Sequence, residues 1–515
     1  MKKIQSFLLM LIVSMLTVTC KQEQKTVPGE AALETPEIDP IKEHIVTPSV
    51  VESERLGTLS YFDGYPSEET AQKVYDNLDF NRGVEAFLNG IPAASMQALI
   101  DGFKGAGLDE IGKFGIFENL MGSESIFLTG NTESVYTISY FDLKQGPIVV
   151  ESPPNTLGMI NDMFFRYVTD LGNAGPDRGK GGKFLVLPPG YEGDIPDGYF
   201  TVQSPTFQNI IFWRGFLVNG DPKPAVESIK ANTNMYLLSQ ADNPPEAVFI
   251  NWTGKRFNTV HANDFKFFEE LNEVIQYEPS EAFEVQLLGI FKSIGIEKGK
   301  EFNPDARLRA ILEDAVKVGN ATARTISFSP RNKDFYIYPD GYWTTAYLGG
   351  YQFMTDNVRE LDARTLFHYI ATAVTPAMEI KMVGVGSQYA FSNKDSQGRY
   401  LDGSKSYRLN IPANPPVKNF WSVVVYDPQT RSMLETDNPY PSLNSELSNV
   451  DKNSDGSVDI YFGPKAPEGK EKNWIRTVEN KGWFVILRIY GPLESWFDKS
   501  WKPGEIELIS ENTKG

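Results

Sequence analysis

Two blocks of short apolar runs, separated by a long helical block, constrain the fold of this chain most strongly. The runs are rich in β-branched and aromatic residues and are bounded by Gly, Pro and Asn, a pattern that predicts strands joined by turns. The first block comprises SIFLTG, SVYTISYFDL, GPIVVESP, GKFLVLPPGY, GYFTVQSPT and NIIFWRGFLV, and the second comprises SYRLNIP, NFWSVVVYDP, VDIYFGP and WFVILRIYGP. Many short strands with such turns favour antiparallel sandwiches or jelly rolls.

Helical periodicity occupies the segments around these blocks. A helix with an interruption at the Gly-Ile-Pro triplet of residues 90–92 is predicted over 67–105. Apolar residues at i, i+3 and i+4 predict further helices between 221 and 320 and at 356–373, and one more inside the first strand block, at 155–167. The predicted fold class is α+β and mostly β, with two antiparallel β-sandwich or jelly-roll lobes and a helical insertion between them.

The first twenty residues resemble an export signal. Two lysines precede an apolar run from Phe7 to Val18, which is shorter than the roughly 20 residues of a membrane span and is followed by Cys20. A cysteine at this place is typical of lipoprotein signals, although Leu16 and Thr19 depart from the usual pattern. We therefore expect an exported protein, lipidated at Cys20 and anchored to a membrane of the bacterial cell envelope. An ordinary signal peptide and an uncleaved anchor are the alternatives.

These patterns divide the chain into five parts. The second of these parts, residues 21–57, has no aromatic residue and is rich in Glu, Pro, Lys and Thr. It therefore cannot bury enough apolar surface to fold. The predicted parts are a lipoprotein-type signal at 1–20, a disordered tether at 21–57, a helix with the first β lobe at 58–220, a mainly helical insertion with connecting strands at 221–355, and the second β lobe at 356–510.

Charge and cysteine content exclude several functions. The 515 residues include 49 Lys+Arg and 67 Asp+Glu, for a net charge of −18, and an acidic chain without a basic stripe repels nucleic acid. The single Cys excludes a disulfide within the chain and a thiolate zinc site. The three His, at 44, 261 and 368, are too dispersed for a histidine-rich metal centre. No cofactor is predicted apart from a weak indication of calcium.

Two long segments carry a family resemblance. NTESVYTISYFDLKQGPIVVESPP, followed by GGKFLVLPPGYEGDIPDGYFTVQSPTFQNIIFWRGFLVNGD, resembles the domain-of-unknown-function family 1254. KSYRLNIPANPPVKNFWSVVVYDPQTRSMLETDNPYPS, NSDGSVDIYFGP and GWFVILRIYGPLESWFD resemble its usual carboxy-terminal companion, family 1214. The resemblance covers roughly residues 65 to 510. It implies an exported protein with two jelly-roll-type sandwiches, and it implies no reaction, ligand or catalytic residue.

The indication of calcium comes from the string DKNSDGSVD. It is similar to the first nine positions of an EF-hand loop, with Asp451, Asn453, Asp455 and Asp459 as oxygen ligands. Phe462 occupies the twelfth position, where that loop needs a bidentate Glu. A β-turn whose side chains cap their own backbone explains the same string.

Aromatic and arginine residues in the predicted strands are the strongest candidates for a binding site. Such residues, converging on one face of a sandwich, stack sugars or hold a carboxylate, although most strand tryptophans only fill a core. The candidate ligand-binding residues are Arg166, Trp213, Arg214, Trp421, Tyr426 and Arg488.

The function that fits these patterns best is a lipid-anchored envelope protein that binds a small-molecule or glycan ligand or scaffolds a partner. No nucleophile elbow, Ser-x-x-Lys or HExxH motif occurs, so no catalytic residue is assigned. Two alternatives stay open. One is a hydrolase of glycans or esters that uses carboxylates, or a His such as His368, in a cleft between the lobes. The other is a structural protein that forms homo-oligomers.

Overall fold

The computed structural model describes residue 42 and residues 44–509. The lipoprotein-type signal with Cys20 and most of the predicted tether lie outside the described residues. The chain divides into two compact units, Met1–Lys73 and Val74–Gly515. Among the described residues, no helix has the length and apolarity to cross a bilayer.

Seven α-helices lie in the described part of the chain. They are α1 Glu68–Gly105, α2 Lys223–Asn232, α3 Lys266–Tyr277, α4 Val285–Ser293, α5 Ala306–Phe328, α6 Leu361–Ile370 and α7 Glu494–Phe497.

The strands form several open sheets. Those before residue 252 are β1 Val50–Ser53, β2 Gly57–Phe62, β3 Tyr65–Pro66, β4 Lys113–Ile116, β5 Val135–Asp142, β6 Ile148–Ser152, β7 Thr156–Asp162, β8 Tyr167–Gly172, β9 Gly182–Leu187, β10 Phe200–Gln203, β11 Gln208–Gly215, β12 Asn234–Leu237 and β13 Val248–Asn251. Those after it are β14 Met354–Thr355, β15 Val358–Arg359, β16 Ser387–Ser392, β17 Tyr407–Ile411, β18 Trp421–Tyr426, β19 Ser442–Asn444, β20 Val458–Gly463, β21 Trp474–Arg476, β22 Phe484–Tyr490 and β23 Ile506–Leu508.

The first unit contains the sheet β1-β2-β3 and the beginning of α1. Ser67 caps that helix, because its Oγ accepts a hydrogen bond from the amide of Thr70 at 3.2 Å. Strand β1 lies inside the predicted tether, so the structure differs from the prediction there. Val50 and Val51 pair with Ser60 and Leu59 across a hairpin, which satisfies their backbone groups.

The second unit contains two pairs of sheets, each pair with a buried apolar cluster to which both sheets contribute. The sheets β13-β4-β5-β11-β7-β8 and β10-β9-β6-β12 share one cluster, which includes Phe114, Phe184 and Trp213. The sheets β16-β22-β18-β19 and β21-β20-β17-β23 share another, which includes Trp421 and Ile460. The α+β class is confirmed.

The strand pairing corrects the antiparallel prediction in part. Three edge strands pair in parallel with their neighbours: β10 with β9, β13 with β4, and β21 with β20. Each of these strands reaches its partner through a long connection instead of a hairpin, which is what parallel pairing requires.

A third and larger cluster connects the two sheet pairs. Side chains of α1, α3, α5 and α6 pack in it together with Phe212 from β11 and Ile486 from β22. The outer faces of the six-stranded sheet and of the sheet β16-β22-β18-β19 therefore pack in this cluster, whereas β17 of the sheet β21-β20-β17-β23 turns the exposed Arg408 outward.

The predicted helix at 155–167 is wrong. Residues 156–162 form β7, which lies between β8 and β11 and is buried at every position. A strand buried on both faces lacks the alternation of buried and exposed residues that marks a half-buried strand, so the pattern of β7 did not separate strand from helix. Asn155, with φ of 54°, starts the strand from a left-handed turn.

Two other helical predictions need adjustment. The interruption of α1 does not occur, because Pro92 removes only one backbone donor and the helix continues through it. The helix predicted at 356–373 is shorter, since the hairpin β14–β15 precedes it and α6 ends at Ile370.

Candidate functional site

A cavity lies between the six-stranded sheet of the first lobe and the sheet of β16 and β22 in the second. The space that water can occupy inside it is about 50 Å³, a few times the roughly 10–15 Å³ needed by one water. Its lining includes Tyr136, Met159, Phe212 and Arg214 from the first lobe, Tyr389, Phe391, Ile486 and Arg488 from the second, the loop Phe127–Asn131, and Tyr347, Ala371–Ala373 and Met378 from the connection.

The two sheets contribute matching pairs of side chains. Arg214 on β11 lies directly opposite Tyr136 on β5, and Arg488 on β22 lies directly opposite Tyr389 on β16. Because side chains alternate along a strand, Phe212 lies on the same face as Arg214, as Ile486 does with Arg488. Each lobe therefore presents an arginine, a tyrosine and an apolar side chain to the cavity.

Both arginines are buried without a carboxylate partner. Arg214 is 8% exposed and Arg488 is 3% exposed, and neither forms an ion pair within 4.0 Å among the described residues. Arginine stays protonated in proteins, so the cavity is lined by two cations. A buried charge without a partner costs several kcal/mol, which an anionic occupant would offset.

Some donors of these arginines have no acceptor. The Nε of Arg214 and the Nη1 of Arg488 are buried and unpartnered. The Nη2 of Arg488 donates to the carbonyl of Thr129 at 2.7 Å. Its guanidinium carbon lies 5.5 Å from the ring centroid of Tyr426, whose hydroxyl donates to the carbonyl of Gly130 at 2.6 Å. The tyrosines lie beside the two guanidinium groups, but some N–H donors of both arginines have no acceptor.

Glu133 is an acidic residue near Arg488. Burial raises its pKa, and the neighbouring Arg488 opposes that rise. Its Oε1 accepts a hydrogen bond from the Thr132 hydroxyl at 3.2 Å, and its Oε2 has no partner. Asp170 is the corresponding acid near Arg214, which opposes the rise of the Asp170 pKa to about 6 by burial, so each arginine has an acid nearby but beyond 4.0 Å.

The backbone around the cavity is strained at two places. Thr129 and Ala373 both line it and have φ values of 43° and 60°, in the left-handed region. For a β-branched residue such as Thr129 this conformation is an outlier, and strain of this kind concentrates at functional sites.

The wall formed by residues 371–375 is fastened to the first lobe. Asn161 on β7 donates to the carbonyl of Val374 at 2.8 Å and accepts from its amide at 2.9 Å. The hydroxyl of Thr375 donates to Asp170 on β8. Burial raises the pKa of Asp170 to about 6. These bonds hold the connecting segment against the cavity.

The structure brings together three of the six candidate ligand-binding residues, Arg214, Tyr426 and Arg488. Trp213 and Trp421 lie on the opposite faces of their strands, in the two lobe clusters. Arg166 lies elsewhere and pairs with Asp162 at 2.7 Å.

Sequence reasoning missed Thr129, Glu133, Tyr136, Tyr389 and Ala373. Phe212 and Arg214 are two residues apart on one strand, and so are Ile486 and Arg488. This spacing puts each arginine on the same face as an apolar residue, which could have indicated that both arginines are buried. It also separates Arg214 from Trp213.

Three of the four candidate calcium ligands lie in the turn before β20, and Asp459 lies in β20 itself. Asp455 Oδ1 accepts from the amide of Ser457 at 2.9 Å, and Asn453 Nδ2 donates to Asp459 Oδ2 at 3.1 Å. Asp451 pairs with the ammonium of Lys472 at 3.1 Å. Within residues 42 and 44–509, no three His, Cys, Asp or Glu side chains are grouped to hold a metal ion. Calcium binding stays a prediction.

The fold and the cavity define an α+β protein in which two β-rich domains enclose a pair of buried arginines. Two stretches of the chain match the models of two protein families. Residues 111–237 match the family described as "Protein of unknown function (DUF1254)" and residues 386–494 match "Protein of unknown function (DUF1214)". Arg214 and Tyr136 belong to the first domain, and Arg488 and Tyr389 belong to the second.

Two solved structures are similar to the chain, and the first of them resembles it in fold. The VPA0106 protein from Vibrio parahaemolyticus is 19% identical, with a TM-score of 0.52, over 84% of this chain and 100% of that one. A putative uncharacterized protein from Burkholderia cenocepacia is 11% identical, with a TM-score of 0.36, over 86% of this chain and 97% of that one. A comparison with curated proteins gave no match.

Proposed function

We propose that this protein binds a small carboxylate between its two β-rich domains. The observation that carries the proposal is the pair of buried arginines, one from each domain, with unpartnered donors and no carboxylate within 4.0 Å among the described residues. Guanidinium groups bind carboxylates through charge-assisted hydrogen bonds, often two at a time. The small volume favours a compact ligand of a few heavy atoms, such as acetate or pyruvate.

The apolar side chains of the cavity fit the same ligand class. Met159, Phe212, Phe391 and Ile486 line it beside the polar groups. A carboxylate with a short apolar group would place its charge at the arginines and its carbon atoms against these side chains. We infer further that the sheets of each domain form a two-layered sandwich, which makes the cavity wall rigid.

Calorimetric titration of the full chain tests the binding. We expect acetate to bind and acetamide, which has a similar shape but no charge, to bind at least tenfold more weakly. Arg214→Met and Arg488→Met should each weaken acetate binding by about thirtyfold or more, because truncating one partner of a buried charged contact costs about 2 kcal/mol or more.

Arg256→Met is the matched control, since Arg256 is an exposed arginine that pairs with Glu435 at 2.6 Å. It should leave the affinity for acetate unchanged. Equal binding of acetate and acetamide, or full acetate affinity in both cavity variants, would contradict the proposal.

We also propose that the protein works at a membrane of the cell envelope, held there by lipid on Cys20. The apolar run from Phe7 to Val18 with the following cysteine supports this. Palmitate labelling of cells that produce the Cys20→Ser variant tests it, and labelling at the wild-type level would refute the lipid anchor.

A hydrolase is the second candidate, and Glu133 favours it. A buried carboxyl with a raised pKa and an unpartnered oxygen, beside a cation, is suited to proton transfer. An acetyl ester would release the carboxylate that the arginines bind. Release of acetate from methyl acetate, an ester of only five heavy atoms, should then be lost in Glu133→Gln, and an equal rate in that variant would exclude this role.

A further inference from the structure

A second and larger cavity lies beside α6. The space that water can occupy in it is about 350 Å³, against about 50 Å³ in the cavity between the domains. Its lining comprises the turn Phe164–Tyr167, Pro205, Ala282–Glu284, Leu287, Tyr351–Met354, Arg359, Arg364 and His368.

Two side chains of α6 form the deepest polar part of this cavity. Arg364 is 7% exposed and His368 is 3% exposed. They are four residues apart on the helix, so they lie on the same face, one turn from each other. Both are therefore placed to contact a single ligand group.

Arg364 is a buried cation without a carboxylate partner. Its Nη2 donates to the Asn89 side chain at 2.6 Å, which uses one of its five N–H groups. Within the described chain it forms no ion pair within 4.0 Å. Burial, together with the nearby Arg359, lowers the pKa of Arg364 to about 10, so it is still protonated at neutral pH.

His368 adds an unused polar atom. Its Nδ1 is buried and has no hydrogen-bond partner. The ring stacks on Phe165, with centroids 5.4 Å apart and planes at 23°, and meets the edge of Phe353 at 5.4 Å. Burial, together with the nearby Arg364 and Arg359, lowers the pKa of His368 to about 3, so the ring is neutral at pH 7 and offers one N–H donor.

The remaining charges of the cavity are already paired. Arg166 pairs with Asp162 at 2.7 Å, and Arg359 pairs with Glu284 at 3.0 Å. Six of the sixteen lining residues are Phe or Tyr: Phe164, Phe165, Tyr167, Phe283, Tyr351 and Phe353. The unneutralised charge therefore lies at Arg364, under an aromatic enclosure.

We propose that this cavity binds an aromatic carboxylate. The carboxylate would lie against the guanidinium of Arg364 and the imidazole N–H of His368, and the aromatic ring would pack among Phe164, Phe165 and Phe283. The site is distinct from the one between Arg214 and Arg488, and it takes a larger ligand.

Calorimetric titration of the full chain with phenylacetate tests the site, and phenylacetamide serves as the uncharged probe of the same shape. We expect saturable binding of phenylacetate and at least tenfold weaker binding of phenylacetamide. Arg364→Met should weaken phenylacetate binding at least tenfold, and Arg364→Lys, which keeps the charge but loses the planar donors, should weaken it less.

A second variant keeps the test independent of Arg364. Met354 lies half-exposed at the cavity lining, so Met354→Trp should obstruct the cavity and abolish binding while Arg364 stays in place. The exposed Arg256→Met variant should bind phenylacetate normally.

Equal affinity for phenylacetate and phenylacetamide would overturn the proposal. Full phenylacetate affinity in both Arg364→Met and Met354→Trp would overturn it as well. A third contrary outcome is loss of phenylacetate binding in Arg214→Met without loss in Arg364→Met. The last outcome would place phenylacetate in the cavity between the domains. Acetate titration reports on that cavity separately, so either proposal can fail without the other.

Discussion

Arg214 and Arg488 are buried charged residues whose burial costs folding free energy and whose proposed role is to bind a ligand. Both lie beside tyrosines, Arg488 also donates to the carbonyl of Thr129, and neither has a counter-ion within 4.0 Å in the described chain. A protein that only needed stability would bury an apolar side chain at these positions, because replacing a buried charged group by a well-packed apolar one is often neutral or stabilising. The cost is understandable if the arginines meet a ligand.

This reasoning predicts the stability of a variant without ligand. Arg214→Met should raise the free energy of unfolding by about 1 kcal/mol while it removes the response to acetate, as expected where function and stability compete. Urea unfolding monitored by tryptophan fluorescence measures it, with Arg256→Met as the surface control. A loss of stability of similar size would show that Arg214 has a structural role instead.

At the scale of elements, close contact between α1 and α5 depends on glycine. A Cβ at Gly319 of α5 would lie 2.8 Å from the ring of Phe87 of α1, too near for an unchanged packing. A Cβ at Gly289 of α4 would meet nothing within 4 Å. Both glycines have a helical backbone, but a methyl group has space at Gly289 and none at Gly319.

We therefore expect opposite effects from one substitution. Gly289→Ala should stabilise the protein by roughly 0.5–1 kcal/mol, the usual gain in a helix, whereas Gly319→Ala should destabilise it by about 1–3 kcal/mol through overpacking. Thermal unfolding of both variants measures the difference. A rise in the melting temperature for Gly319→Ala would mean that α1 and α5 separate easily.

The elements also show what the sequence could predict. Strand and helix blocks were recognisable because period-2 runs with turn residues differ from helical spacing. β7 was not recognisable, since every position of this strand is buried and its residues do not alternate between polar and apolar. In the site, Arg214, Tyr426 and Arg488 were predicted from residue type. Thr129 and Ala373 could not be, because they face the cavity through loop conformations that only the tertiary structure imposes.

At the scale of the whole molecule, buried glutamates tie segments together. Glu278 accepts hydrogen bonds from the amides of Phe207 and Gln208 at 2.6 and 3.0 Å, and Glu270 accepts from the amide of Ala262 at 3.0 Å. Burial raises the pKa of both carboxyls to about 7. The folded protein therefore binds protons more tightly at these sites than the unfolded chain does.

The sign of the pH dependence follows. Stabilisation from a raised carboxyl pKa is complete below the unfolded value of about 4.3 and is lost as the pH rises through about 7. The free energy of unfolding should decrease from pH 5 to pH 8, and Glu278→Gln, which stays neutral, should reduce that slope. Urea unfolding at four pH values between 5 and 8 measures it; a flat profile, or the same slope in the variant, would count against the role of these carboxyls.

The division of the two arginines between domains has a consequence for inheritance. Arg214 lies in the domain of residues 111–237, and Arg488 lies in that of residues 386–494. Recombination or proteolysis that separates these two stretches would leave one arginine in each fragment, and the lining residues from Tyr347 to Met378 lie in neither stretch. The proposed binding site therefore requires both stretches, and loss of either one should abolish acetate binding instead of weakening it.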